Sequence, residues 1–393
     1  MGYKYVVLGA DKLAVAAAYD LGAFGEADEL TLVDADAARA KDAAAQVAKL
    51  LKGKKAKVKS ASADFSKKAD LAKVVKGADG VLSILPAEFA LAAAQAALQA
   101  KAHYCDPGSG LEAARAILKL APAARKAGVS LLPDCGLAPG LSSSLAMVAM
   151  TTLDFSREVR VYVGALPQRP VGPFDYATVY PVSSLLSLYL EPGVALRRGR
   201  IETLPALAER EEVEIGGVGK LEAAITGGCD TTCPYSFQNR LVVFEQKTLR
   251  YPGHFDKMSA MNAMGFLSDK QIQVNGGKIA PRDLFLTLAE RAWGQQEEKD
   301  MVILRVEARG KTRGRPTAAS YEIVDRYDPA TKISAVERTT AFPASAALSL
   351  QVRGKVKPGA EPPEVALPHR DFIGEMRRRG FKVMESVRTV DSK

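Results

Sequence analysis

The strand-like run Tyr3–Leu8 opens onto Gly9-Ala10-Asp11-Lys12-Leu13-Ala14 and then an alanine-rich helix. Where a strand turns into a helix, a G-x-G-x-x-G turn gathers backbone amides and the helix N-terminus around a phosphate. Gly9 holds the first position of such a turn, but Asp11 and Ala14 stand at the other two. Asp11 adds a Cβ and a negative charge where backbone should approach a diphosphate. Aspartate is also a favoured N-cap, and self-capping would stabilise the helix by roughly 1 kcal/mol. Gly9, Ala10, Asp11, Lys12 and Leu13 therefore predict either a dinucleotide-binding turn or one that Asp11 closes.

Further acids follow at telling positions. Glu29–Asp34 reads as a strand ending in a carboxylate, about 20 residues beyond the turn, where an acid binds the adenosine ribose. Asp34 equally suits an N-cap for a helix over Ala35–Leu51. Asp34 and Asp36 disfavour a 2′-phosphate, so the cofactor predicted is NAD. Asp64 follows a strand near Val58–Ala61 and either meets adenine or makes a turn. Gly80–Pro86 reads as a buried strand closing on Leu85-Pro86, the sheet edge over which a nicotinamide would lie. Asp106 follows the strand His103–Cys105, and Asp134 follows Val129–Leu132. Both sit at the carboxyl edge, where open α/β sheets place ligands.

These residues need a scaffold, and the alternation supplies one. Strand and helix patterns take turns through the first third, with helices at Asp70–Val75, Phe89–Gln99 and Leu111–Arg125. Repeated units of this size predict an α/β fold, a Rossmann-type doubly wound parallel sheet. Beyond Gly136 the pattern changes. Strand signals at Arg157–Val163, Tyr176–Val182, Glu212–Ile215 and Met301–Ala308 predict a second α+β domain of mostly antiparallel sheet. Helix Ala344–Val352 and a final helix Asp371–Arg379 return to the first domain. The expected division is 1–135 plus 341–393 for the dinucleotide domain and 136–340 for substrate binding.

The chain has 393 residues and a formal net charge of +9. Its densest basic run, Lys52–Lys59, has no interleaved aromatics and reads as a solvated face rather than a nucleic-acid site. The cations Arg377, Arg378 and Arg379 end a helix, where they suit the macrodipole. No apolar run of about 18 residues lacks charge, so no membrane span is expected. A strand at the start leaves no room for a signal peptide, and Cys105, Cys135, Cys229 and Cys233 read as reduced thiols of a cytoplasmic protein. Cys229-x-x-x-Cys233 lacks a second ligand pair, so no metal site is expected.

Four stretches carry a family resemblance: Pro133–Gly140, Gly164–Pro173, Gly227-Gly228 and Lys247–His254. Leu85-Pro86 and Arg338–Pro343 extend it over nearly the whole chain. In these glycines and prolines the sequence resembles the lysine 6-dehydrogenase branch of the saccharopine dehydrogenase-like family. The resemblance implies a second domain that closes over substrate and forms a homodimer. It also implies NAD-dependent oxidative deamination of an amino acid, the ε-amine of L-lysine. The sequence departs at Asp11 and Ala14, and at Ala165, where the family usually has glycine. The other reading is a relative that Asp11 has deprived of its cofactor.

On that reading the substrate carboxylate calls for a guanidinium, and Arg169 and Arg250 lie in the two most family-like loops. The amine must be neutral to lose hydride, and water must then be activated, so a general base is required. Asp106 and Asp134 are candidates, each with turn-making as the alternative. His254, after Tyr251-Pro252-Gly253, is a further candidate, or a structural histidine. Tyr176 completes the set. Cys135 reads as packed.

Overall fold

Apolar strands alternating with alanine-rich helices build the first sheet. In chain order these are β1 (Tyr3–Leu8), α1 (Lys12–Phe24), β2 (Ala27–Asp34), α2 (Ala37–Leu50), β3 (Lys57–Ser62), α3 (Lys68–Val75), β4 (Gly80–Ser83), α4 (Ala87–Gln99), β5 (His103–Cys105), α5 (Leu111–Leu118), α6 (Ala121–Ala127) and β6 (Ser130–Leu132). The structure, a computed structural model, describes residues 2–227, 232–294 and 299–390. Gly228 and Cys229, singled out above, lie outside the described residues.

The second half contains α7 (Leu141–Thr152), β7 (Phe155–Pro167), α8 (Val182–Leu190), β8 (Gly193–Arg197), β9 (Arg200–Leu204), β10 (Glu211–Ile215), β11 (Gly219–Ile225), α9 (Cys233–Phe237) and β12 (Val243–Arg250). There follow α10 (His254–Ala263), β13 (Ile272–Val274), β14 (Gly277–Ile279), α11 (Pro281–Gly294), β15 (Asp300–Thr312) and β16 (Arg315–Arg326). The chain ends with α12 (Ala335–Val352), β17 (Gly359–Ala360), α13 (Pro363–Ala366), α14 (His369–Arg378) and β18 (Met384–Thr389).

The first sheet runs β17-β6-β5-β4-β1-β2-β3 and every pairing is parallel. This is the doubly wound order, with β17 added beside β6. The second sheet runs β10-β11-β12-β7-β15-β16-β18, with β8 and β9 off that path. Its pairings are antiparallel except β12 with β7. The fold is therefore α/β, with a Rossmann-type parallel sheet and a second, mixed sheet of mostly antiparallel strands.

Four local expectations are corrected. Tyr176–Val182 forms no strand: Pro181 ends the extended run and opens α8, whose Leu185, Leu186 and Tyr189 are buried. Leu111–Arg125 is two helices, because Pro122 lacks the amide to continue one and instead suits the first turn of α6. α12 starts at Ala335 rather than Ala344, driven by a Ser334/Glu337 capping box, and packs along α1. β18 crosses back to pair with β16, so the C-terminal segment does not stay wholly with the first sheet.

The basic run behaves as a solvated edge. Lys52–Lys55 are exposed, and β3 is an edge strand carrying exposed Lys57 and Lys59, a charge pattern that discourages edge pairing. Arg379 does more than complement a helix dipole. It is buried, and its Nε donates to both carboxylate oxygens of buried Asp20 at 2.9 Å, fastening the chain's C-terminal region to α1. Among the described residues no helix is long and apolar enough to cross a membrane, and no His/Cys/Asp/Glu cluster could hold a metal ion.

Candidate active site

A cleft of about 740 Å3 lies between the carboxyl edge of the parallel sheet and the second sheet. The turn after β1 supplies Asp11, Lys12 and Leu13, and the loops after β5 and β6 supply Pro107, Leu137 and Ala138. β7 and β12 supply Val163, Ala165, Thr248 and Arg250 from the other side. The segment leading into α8 contributes Thr178 and Tyr180, and the first turn of α12 contributes Val336 and Glu337.

The nucleotide-side turn is built as strand-to-helix register demands. Gly9 has φ 107°, and a Cβ there would lie 3.0 Å from the Ile84 carbonyl oxygen. Asp11 takes the N-cap position of α1, its Oδ1 accepting from the Ala14 N–H at 2.9 Å. The side chain therefore occupies one donor of the helix N-terminus. Compared with an all-glycine turn, this one offers an anion one amide fewer and one negative charge more. Lys12, exposed beside it on the cleft wall, offers a compensating cation.

Asp34 sits buried at the end of β2 and accepts from the Asp36 N–H at 3.0 Å. The N-cap of α2 is Asp36, not Asp34: it accepts from the Ala38 and Arg39 amides at 2.8 and 3.2 Å. Asp64 folds into its own turn, taking the Ser66 amide and hydroxyl at 3.0 and 2.6 Å and pairing with Lys67 at 3.2 Å. The Ser66 hydrogen bonds hold its carboxyl below the usual range. Leu85 is half-buried and Pro86 exposed, where β4 gives way to α4.

Asp106 and Asp134 lie beneath the cleft floor rather than in it. Asp106 accepts from the Tyr104 hydroxyl at 3.0 Å and from the Asp134 N–H at 3.0 Å. Asp134, at φ 62°, accepts from the Ser109 N–H at 2.9 Å. The pair knits together the two loops that carry Pro107 and Leu137. They run so close that a Cβ on Gly136 would lie 2.2 Å from the Pro107 oxygen. Burial, reinforced by the neighbouring Asp134, pushes the Asp106 carboxyl up to about 7. Cys135 packs here, fully buried, and burial pushes its thiol well up.

Arg250 is the dominant charge of the opposite wall. The side chain is 1% exposed overall, yet it reaches the cleft. Its Nε donates to the Tyr189 hydroxyl at 2.7 Å, Nη1 to the Leu249 carbonyl at 2.8 Å, and Nη2 to the Tyr180 hydroxyl at 2.8 Å. The guanidinium also lies 5.5 Å from the Tyr176 ring centre and 5.7 Å from that of Tyr189, within cation–π range. Among the described residues no carboxylate pairs with it. A buried cation without a counter-charge is expensive, and an anion arriving in the cleft would supply one.

His254 does not reach the cleft, contrary to its expected role as a base. It is 0% exposed; Nδ1 is 2.8 Å from the Phe174 carbonyl and Nε2 is 2.9 Å from the Tyr189 hydroxyl. The carbonyl can only accept, so Nδ1 carries the proton and Nε2 accepts from Tyr189. A directed chain results: Arg250 donates to Tyr189, Tyr189 to His254, and His254 to Phe174. Burial first, then Arg250, lower the imidazole to about 3, which keeps it neutral. Tyr176 is buried in the same aromatic wall, its ring centre 5.4 Å from that of Trp293. Arg169 is exposed after β7 and is not on the cleft wall.

Sequence reasoning missed Tyr180, Tyr189 and Glu337. Tyr180 and Tyr189 fell in a segment read partly as strand. The Ser334-x-x-Glu337 spacing was a visible capping-box signal that would have placed Glu337 at a helix start.

A family model described as the saccharopine dehydrogenase NADP binding domain matches residues 5–132. One described as the saccharopine dehydrogenase C-terminal domain matches residues 136–381. Among solved structures, apo saccharopine dehydrogenase (L-Glu forming) from Saccharomyces cerevisiae is similar. It is 19% identical with a TM-score of 0.80, over 99% of this chain and 100% of that one. At that identity the likeness shows the fold. GenD2 from gentamicin A biosynthesis, in complex with NAD, is 12% identical at a TM-score of 0.40, over 98% of this chain and 96% of that one. A myo-inositol dehydrogenase from Corynebacterium glutamicum is 10% identical at 0.40, over 100% of both chains. Likenesses as loose as these two carry no argument. The two family models, in domain order, span all of the cleft-forming elements described above. The chain belongs to the saccharopine dehydrogenase family, as an oxidoreductase with a nicotinamide-dinucleotide-binding domain.

Proposed function

We propose that the protein is an NAD-dependent dehydrogenase of an amino acid, acting on the ε-amine of L-lysine to give the semialdehyde. The observation that carries this reading is Arg250: a buried guanidinium on the cleft wall, held by tyrosines and with no carboxylate partner among the described residues. A substrate α-carboxylate completes it, with charge-assisted bonds from the N–H groups its protein partners leave over. Thr178 and Thr248 line the same wall and suit the polar end of an amino acid.

Gly9, Ala10, Asp11, Lys12 and Leu13 would hold the diphosphate, Asp34 the ribose, and Asp64, Leu85 and Pro86 the flanks. The bound nicotinamide supplies the hydride acceptor. Overall the protonated amine, NAD+ and water become the aldehyde, ammonium, NADH and a proton. Glu337 is a carboxylate that lines the cleft while its Oε2 accepts from the Ser334 N–H at 2.9 Å. It takes the amine proton before hydride leaves, the role that Asp106 and Asp134 are too enclosed to perform directly. Those two hold the loops that shape the floor.

The test is NADH formation with L-lysine, its des-carboxy analogue cadaverine, and 6-aminohexanoate. L-lysine is turned over, and cadaverine suffers a KM at least about a hundredfold higher, since a lost bidentate anion contact is worth several kcal/mol. Arg250→Lys raises KM for lysine similarly, whereas Glu337→Gln, which keeps the capping box, lowers kcat. Equal turnover of lysine and cadaverine by the unaltered chain would refute the assignment of Arg250.

A further inference from the structure

Asp300 opens β15, is buried, and does not line the cleft. Three strands meet at this residue. It lies opposite Pro167 at the end of β7, and its carbonyl accepts from the Gln168 side-chain amide at 3.0 Å. The same carbonyl accepts from the N–H of Tyr327, just past β16, at 3.1 Å. The backbone of Asp300 is therefore held from both neighbouring strands.

Its carboxylate faces the start of a helix. Oδ1 accepts from the Ala335 N–H and Oδ2 from the Val336 N–H, both at 2.8 Å. These are the first two amides of α12, which have no acceptor within the helix itself. A carboxylate also suits the positive end of the helix dipole. The Ser334 hydroxyl takes the next amide, that of Glu337, at 3.1 Å.

This first turn bears directly on the cleft, which Val336, Glu337 and Thr340 line. The Ser334 N–H holds Glu337 Oε2 at 2.9 Å. That bond ties Glu337 to its own helix, and it does not decide where the helix begins relative to the rest of the cleft. Asp300 does decide it, because Asp300 belongs to the sheet that also carries Arg250. Arg338, beside Glu337, strengthens the attachment through its Nε, 2.9 Å from Asp325 on β16. The far end of α12 is fastened to the parallel sheet. There the Gln351 side-chain amide donates to the Tyr104 and Ser130 carbonyls at 3.0 and 2.9 Å. α12 thus spans both walls of the cleft, and Asp300 fixes the end that carries Glu337.

We propose that Asp300 is a positioning residue: its two carboxylate oxygens fix the first turn of α12 on the second sheet and so set where Glu337 meets the substrate amine. The inference rests on the reading of Glu337 as the group that takes the amine proton. Without the clamp the turn frays, and a misplacement of about 1 Å between reacting groups costs about a hundredfold in rate. Substrate binding is spared, because Arg250 stands on β12 with its own tyrosine partners.

Steady-state kinetics of the full chain with L-lysine and NAD is the test, with Asp300 altered alone and together with Glu337→Gln. Asp300→Ala lowers kcat by about tenfold to a hundredfold and leaves KM for lysine within about threefold. Asp300→Asn keeps an oxygen for one of the two amides and recovers part of the loss. In the Glu337→Gln background Asp300→Ala costs less than about threefold, since a clamp that acts through Glu337 has nothing left to position. Hydrogen exchange reads the clamp itself: amides 335 and 336 exchange faster in both Asp300 variants, whereas those of Phe342–Gln351 do not. Should Asp300→Ala fold poorly, Asp300→Asn carries both measurements. Unchanged kcat with a released first turn, or the same loss with and without the Glu337 carboxylate, overturns this role and leaves the reading of Glu337 standing. Full activity of Glu337→Gln overturns that reading, and the role of Asp300 with it. An unaltered chain that turns over no lysine overturns the substrate assignment, and this role falls with it.

Discussion

Single residues set the electrostatics of this cleft, and each answers to burial before anything else. Asp106 shows it in stability. Its folded carboxyl is raised to about 7 from an ordinary value near 3.9. The folded state thus holds a proton that the unfolded state has released, and the group's contribution falls as pH rises from about 4 through 7. Asp106→Asn removes that titration while still offering an oxygen to the Asp134 N–H. The stability of the unaltered chain relative to Asp106→Asn should decline between pH 5 and pH 8 in thermal melts; a pH-independent difference would show that Asp106 does not titrate there. His254 has the opposite sense. Its lowered value resists protonation in the fold, so its contribution is lost as pH falls from about 6.5.

Elements place these residues, and here the sequence was readable to different depths. The strands β1 through β6 followed from apolar runs alternating with alanine-rich helices, because the inner parallel strands, unlike the exposed edge strand β3, are buried on both faces and leave a clear pattern. The capping role of Asp11 was legible for the same reason: it is local. The Arg250 cage was not, since Tyr176, Tyr180 and Tyr189 converge through a coil and a helix that only tertiary packing orders. Nor was the Asp20–Arg379 pair, 359 residues apart in sequence. Both partners are wholly buried, and removing Asp20 leaves the Arg379 guanidinium only its hydrogen bonds to Glu375. Asp20→Ala should cost about 3–5 kcal/mol, read as a lowered melting temperature with early release of α14 in hydrogen exchange. A change below about 1 kcal/mol, the scale of exposed pairs, would contradict that account.

At the scale of the whole molecule, two sheets face each other across one cleft, the glycine turn on one side and, on the other, a guanidinium that no carboxylate among the described residues pairs with. Asp11 is where the two halves of this account meet, because its carboxylate occupies a donor that a diphosphate would use. The direct measurement is calorimetric titration of NAD into the unaltered chain and into Asp11→Gly, with and without L-lysine. The account predicts micromolar NAD binding by the unaltered chain, tightened by lysine, and a further gain of about tenfold in Asp11→Gly from the freed amide and lost charge. Absence of heat from the unaltered chain at millimolar NAD, with binding restored only by Asp11→Gly, would contradict it and leave a dehydrogenase fold that Asp11 has closed.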